Sequence, residues 1–184
     1  MTDQDSDPEH GPGPTHDHHH ADPDSLGVGL LTISTSRTLA DDEAGDAAVS
    51  LLEAAGHEVA TRELVPDEHD RVQNVVDTLV NRDDVDCVVT SGGTGITPDD
   101  ITVQAVRPLL DRELPGFGEL FRAMSREEVG TRAILSRATA GVADGVPVFV
   151  LPGSENAVRL AVSDLILPEA PHLVGMATRS ADED

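Results

Sequence analysis

The chain has 184 residues, enough for one domain with a core of adequate size. It carries 35 Asp and Glu against 12 basic residues, a formal net charge of −23, and every basic residue is Arg. Neutralising nucleic-acid phosphates needs a basic face, and crossing a bilayer needs a long apolar run, so neither nucleic acid nor membrane is an expected partner.

The acidity is not confined to the ends, because Asp41, Asp42, Asp46, Asp83, Asp84, Asp86 and Asp111 lie inside the body. Dense carboxylates repel one another, and salt screens that repulsion. The composition therefore reads as that of a cytoplasmic protein of a halophile, and no signal peptide opens the chain.

Residues 1–24 are Asp, His, Pro and Gly with almost nothing apolar, which reads as a disordered, acidic, His-rich tail. His10, His16, His18, His19 and His20 fall within it; a solvated tail is the preferred reading over weak metal capture. A single domain is expected over 25–178, followed by a short acidic tail over 179–184.

Order is expected from the apolar run Leu26 to Ser34, a buried strand ending in the loop Thr35-Ser36-Arg37-Thr38. A helix follows from about Asp41 to Ala55, with acids in its first turn and Gly56 as its stop. Glu58 to Leu64 alternates as a second strand, Val65-Pro66-Asp67-Glu68 turns, and His69 to Val80 has helical spacing.

Asp86 to Val89 reads as a third, fully buried strand, with Cys87 in it as a small core hydrophobe. Thr90-Ser91-Gly92-Gly93-Thr94-Gly95 is then the loop at its end, and a helix is expected from Ile101 to near Leu110. A glycine turn between a strand and a helix lets backbone N–H groups approach an anion, although a plain tight turn explains it equally well. It is neither a dinucleotide fingerprint nor a P-loop, since no Lys follows the glycines.

Leu114-Pro115-Gly116-Phe117-Gly118 reads as a break, and Glu119 to Glu128 as a helix turning Leu120, Phe121 and Met124 inward. Two strands are expected about Ala143-Asp144-Gly145, then a helix from Asn156 to Ile166, then a short segment through Leu173. This rhythm is that of a three-layer α/β/α fold, with a mostly parallel sheet and a mixed edge.

Four motifs now stand in one order: Thr90-Ser91-Gly92-Gly93-Thr94-Gly95, Pro115-Gly116-Phe117-Gly118-Glu119, Ile134-Leu135-Ser136-Arg137 and Leu151-Pro152-Gly153-Ser154. With them, from about Leu26 to Gly175, the chain resembles the MoaB/Mog family of molybdenum-cofactor biosynthesis proteins. The resemblance implies a molybdopterin-binding-type α/β/α fold, assembled as a homotrimer or hexamer. It implies binding of molybdopterin, its adenylylation with Mg²⁺ and ATP, and hand-over to a molybdate-inserting MoeA-like enzyme.

Carried over residue by residue, Asp67 and Asp100 match the acidic positions expected to be catalytic and to hold Mg²⁺. Plain helix caps are the alternative for both. Ser91, Gly92, Gly93, Thr94 and Gly95 would form one phosphate cradle, and Pro152, Gly153 and Ser154 a second. Ser136 and Arg137 match the pterin side, and Glu119 a substrate or subunit contact.

Two positions depart from the family's pattern. Asp99 stands where Arg is frequent, and Glu155 where Pro is frequent. Both weaken the case for ATP more than the case for pterin. A non-catalytic molybdopterin carrier on the same scaffold is the rival reading, and a CinA-like nucleotide hydrolase, suggested by Asp99-Asp100, is the third.

Overall fold

The computed structural model describes residues 22–178. The acidic tail expected over 179–184 lies outside them, as does the His-rich tail expected over 1–24 except for residues 22–24. Asp22 already lies 3.2 Å from the His172 ring.

The parallel part of the sheet is built first. Strand β1 (Gly27–Ile33) leads through a 3-10 turn into helix α1 (Glu43–Ala54). Strand β2 (Glu58–Val65) and helix α2 (His69–Val80) follow, then strand β3 (Cys87–Ser91). Asp42 caps α1 by accepting from Gly45 N, and Gly56, at φ 88°, ends the turn beyond the helix.

β3 runs two residues further than the apolar run suggested. Thr90 and Ser91 pair with Leu31 and Thr32 of β1 on one side and with the last β6 residues on the other. With partners on both edges, two hydroxyl residues are held as strand.

Helix α3 (Thr102–Val106) is shorter than its pattern and closes in a 3-10 turn. Pro108 has no N–H and its ring clashes with the carbonyl four residues back, which stops the α-helix. Strand β4 (Arg112–Glu113) was not expected. Helix α4 (Pro115–Val129) begins where a break was expected, because Pro115 occupies the first helical position, where the missing N–H costs nothing. Phe121 faces inward as expected, but Leu120 is 57% exposed and points outward.

Strands β5 (Thr139–Ala143) and β6 (Val146–Leu151) form a hairpin. Its turn residues Asp144 and Gly145 both have positive φ, 48° and 81°, as a two-residue primed turn demands. Helix α5 (Glu155–Ala161) then continues through one π-helical turn (Val162–Ile166) into helix α6 (Leu167–Ala177). The stretch Leu167–Pro171, expected only to lead to a short segment through Leu173, is therefore itself part of a full helix, entered with Pro168 in its first turn.

The six strands are ordered β2-β1-β3-β6-β5-β4, parallel from β2 to β6 and antiparallel at the β5–β4 edge. Side-chain alternation gives each face a core. Val28, Leu30, Val89, Phe149 and Leu151 pack with residues from α1, α4, α5 and α6. Leu31, Ile33, Val88, Val148 and Val150 pack with residues from α2 and α3. Cys87 is buried on the first face, and that burial pushes its thiol up to about 12, so it is an inert core residue. Among the described residues no helix is long and apolar enough to cross a membrane.

Candidate functional site

In a 2-1-3 parallel arrangement the chain reverses its winding direction between β1 and β3, and the crevice beyond the carboxyl ends of those strands is where ligands bind. Four loops meet at that edge of this sheet: 34–38 after β1, 66–68 after β2, 92–101 after β3 and 152–154 after β6.

The glycines fit this meeting closely. Gly92 has φ 110°, and a Cβ there would lie 2.2 Å from Ile33 O. Gly93 has φ 63°, with Thr102 Oγ1 2.2 Å from its would-be Cβ. A Cβ on Gly153 would lie 3.1 Å from Gly92 Cα, so the two glycine turns pack on each other. Only glycine satisfies Gly92 and Gly93.

Asp67 Oδ2 accepts from Thr35 N at 2.7 Å and from Thr35 Oγ1 at 2.8 Å, which ties the β2 loop to the β1 loop. The Asp100 carboxylate instead folds back on its own loop. Oδ1 accepts from Gly95 N at 2.9 Å, and Oδ2 accepts from Thr97 N at 2.8 Å and Thr97 Oγ1 at 2.7 Å. Burial alone would raise this carboxyl, but the Thr97 and Gly95 donors and the Arg137 charge outweigh it and hold Asp100 below the usual carboxylate range. β1 lies between the strands that carry these two acids, so the strands are roughly 10 Å apart.

Arg137 completes the loop. Its backbone N donates to Thr94 O at 3.0 Å, its Nε to Gly95 O at 2.6 Å and its Nη2 to Asp100 O at 2.5 Å. Glu119, Ser136 and Arg137, expected from two separate motifs, line one open cleft of about 710 Å³ beside this loop. Arg107, Arg122 and Glu113 line it too. Arg122 fixes one wall by donating to Ala138 O at 3.0 Å, and Arg107 pairs with Glu113 at 3.2 Å.

Two expected site residues are turned elsewhere. Ser91 is buried in β3 with its hydroxyl 3.5 Å from Thr32 Oγ1, part of an interior network rather than of the loop surface. Ser154 caps α5, its Oγ accepting from Ala157 N at 3.3 Å, and with Pro152 it lines a smaller cavity of about 230 Å³. Glu155 pairs with Arg159 one turn along α5 at 2.7 Å.

The carboxylate set bears on Mg²⁺. Among the described residues no group of three or more His, Cys, Asp or Glu is placed to hold a metal. Mg²⁺ takes one or two carboxylates and completes its shell with water and substrate phosphates. Both Asp100 oxygens are engaged within their own loop, whereas Asp67 Oδ1 accepts no hydrogen bond from the described residues, so of the two expected ligands Asp67 is the one whose chemistry would suit a Mg²⁺.

Sequence reasoning gave no role to Thr35, Arg37 or Arg122. Thr35 and Arg37 lie in the loop that ends the first strand, and that position is the signal the sequence offers. Arg122 follows Glu119 by three residues on α4 and so shares its face.

The family model for "Probable molybdopterin binding domain" matches residues 29–172. A curated relative, molybdenum cofactor biosynthesis protein B of Halalkalibacterium halodurans, is 47% identical over 146 residues, covering 79% of this chain and 86% of the relative. A crystal structure of molybdenum cofactor biosynthesis protein B is 45% identical, with TM-score 0.83, covering 86% of this chain and 99% of that one. The tungsten cofactor synthesizing protein MoaB from Pyrococcus furiosus is 38% identical, with TM-score 0.75, covering 85% and 99%.

Proposed function

This chain belongs to the molybdopterin-binding-domain family of MoaB-like proteins, and from that premise we propose that it acts in molybdenum (or tungsten) cofactor biosynthesis as a molybdopterin adenylyltransferase. The observation that carries the reading is the cleft lined by Glu119, Ser136 and Arg137, whose Arg137 clasps the glycine loop. A cleft of about 710 Å³ is within the size range of small-molecule sites, large enough for a pterin. Its terminal phosphate would then reach the glycine turns at Gly92, Gly93 and Gly95.

The reaction joins two anions. A phosphate oxygen of molybdopterin attacks the α-phosphorus of ATP, the bond to the β-phosphate oxygen breaks, and pyrophosphate leaves. Little covalent work falls to the protein; positioning and charge compensation dominate. Mg²⁺ held at Asp67 would supply charge compensation for the ATP phosphates. Thr35 orients Asp67 through two hydrogen bonds. Asp100 keeps the loop in shape through Gly95 N and Thr97, and Arg137 binds two of the loop's carbonyls, Gly95 O and Asp100 O.

The family resemblance points to assembly as a homotrimer or hexamer, and exposed apolar residues such as Ile134, at 81% exposure, and Leu135, at 47%, offer surface for a contact between copies. The product passes to a molybdate-inserting MoeA-like enzyme.

One observation favours a second reading, a molybdopterin carrier without chemistry. Asp100 has both carboxylate oxygens engaged within its loop, and Asp99 beside it adds negative charge where phosphates must approach. The test is pyrophosphate release from Mg-ATP in the presence of molybdopterin, in concentrated KCl, for the wild type and Asp67→Ala. Release that collapses in Asp67→Ala supports the transferase. Tight pterin binding with no pyrophosphate from the wild type leaves the carrier.

A further inference from the structure

Mg²⁺ leaves the triphosphate still anionic, so a protein that accepts Mg-ATP gains from a cationic side chain where the phosphates lie. The sequence has Asp99 at the position expected to carry one, so the cation must come from elsewhere. The 34–38 loop supplies it. Thr35 of this loop holds Asp67 after β2, and two residues on Arg37 extends the opposite way, its Nη1 donating to Gly153 O at 2.9 Å. Since β3 lies between β1 and β6, that side chain passes over the carboxyl end of β3, where Gly92 sits. The would-be Cβ of Gly153 lies 3.1 Å from Gly92 Cα and 3.8 Å from Arg37 Nη1, so the guanidinium rests on the junction of the two glycine turns. Ser34 Oγ fixes the base of the loop by accepting from Arg37 N at 3.2 Å.

We propose that Arg37 is the phosphate-binding cation of this edge and takes the phosphate chain of the nucleoside triphosphate. A guanidinium carries five N–H donors in a planar fork suited to phosphate, and the bond to Gly153 uses one of them. The assignment to the nucleotide rests on the adenylyltransferase reading and on position. The Arg107, Arg122 and Arg137 cleft lies toward β5 and α4, whereas Arg37 approaches from the β1 side with Asp67. The two reactants then meet over Gly92 and Gly93 from opposite sides.

Calorimetric titration of the wild type, Arg37→Gln and Arg37→Lys with Mg-ATP, inorganic tripolyphosphate and molybdopterin tests this. Arg37 is exposed, so both variants should melt with the wild type. Losing a charge-assisted phosphate contact should weaken Mg-ATP and tripolyphosphate about tenfold in Arg37→Gln, with partial recovery in Arg37→Lys and molybdopterin unchanged. Equal affinity in wild type and Arg37→Gln overturns the proposal, as does a wild type that binds neither phosphate ligand. A loss confined to molybdopterin overturns the assignment to the nucleotide. Tripolyphosphate bound through Arg37 without pyrophosphate release sinks the transferase and keeps Arg37. Release that is unaffected in Arg37→Gln at low ATP does the reverse.

Discussion

Arg137 grips Asp100 by its backbone and not by its carboxylate, Nη2 donating to Asp100 O at 2.5 Å while Nε donates to Gly95 O at 2.6 Å. The guanidinium thus closes the two ends of the 95–100 loop, and the Asp100 carboxylate closes the same loop from within. Arg137→Ala should cost about 2–3 kcal/mol in denaturant melts, the worth of charged hydrogen bonds left unmade. Amide exchange at Gly95 and Thr97 should accelerate in the variant. Unchanged exchange there would mean that the loop holds itself and Arg137 is a bystander. Arg137→Lys should recover little, because a single ammonium cannot span both carbonyls in a fixed fork.

Gly92 and Gly56 separate steric conflict from backbone strain. Both have positive φ, 110° and 88°, but a Cβ on Gly92 meets Ile33 O at 2.2 Å while one on Gly56 meets nothing within 4 Å. Gly56→Ala should cost about 1 kcal/mol, the left-handed penalty alone. Gly92→Ala must also push β1 from β3 and should exceed about 3 kcal/mol, or fail to fold. Similar thermal melts for the two variants would show that the β1 end yields.

The parallel core was legible because its signals are local. Val88 and Val89 read as buried strand, and the stripe on α2 gave its inward face. What could not be read depended on neighbours. Thr90 and Ser91 are strand because β1 and β6 flank them, and Pro115 starts a helix rather than breaking one because Leu114 hands over from β4. The site divides in the same way. Gly92, Gly93 and Arg137 stood in motifs and lie where the loops meet. Ser91 stood in the same motif, yet strand alternation turns its hydroxyl inward. Nothing in the sequence links Arg37 to Gly153, which are 116 residues apart and joined only by strand order.

Asp42 makes an acid-stability prediction. It is fully buried, accepting from Thr32 Oγ1 at 2.7 Å, Gly45 N at 3.1 Å and Arg62 Nη2 at 3.0 Å. Burial pushes its carboxyl up, but these donors and the Arg62 charge more than offset that, and the net shift is downward from 3.8. A carboxyl lowered in the folded state contributes its stability in full above the unfolded value and loses it as pH falls through the folded value. Wild-type stability should therefore decline below about pH 4, and Asp42→Asn should flatten part of that decline. At pH 7 the same variant should be less stable by about 3 kcal/mol, since Arg62 keeps its charge half-buried with one partner fewer. An acid limb of the same slope in both proteins would assign the loss to other carboxylates.

The charge density predicts the response to salt. At a net charge of −23, the folded state gathers carboxylates that the unfolded chain holds further apart, so repulsion opposes folding. Ion pairs such as Arg82–Asp84 at 2.7 Å and Arg159–Glu155 at 2.7 Å relieve little of it, because 12 Arg cannot offset 35 acids. KCl should raise Tm by several degrees between about 0.1 and 1 M, where the Debye length contracts from about 10 to about 3 Å, and add little beyond. Sulfate also raises Tm by exclusion from the surface, so potassium chloride and potassium sulfate compared at equal ionic strength separate the two causes. At pH 5, as carboxylates begin to protonate, the KCl effect should shrink. A Tm that ignores KCl but climbs with sulfate would show that the carboxylates are well enough hydrated to coexist, and that high salt is no requirement of this fold.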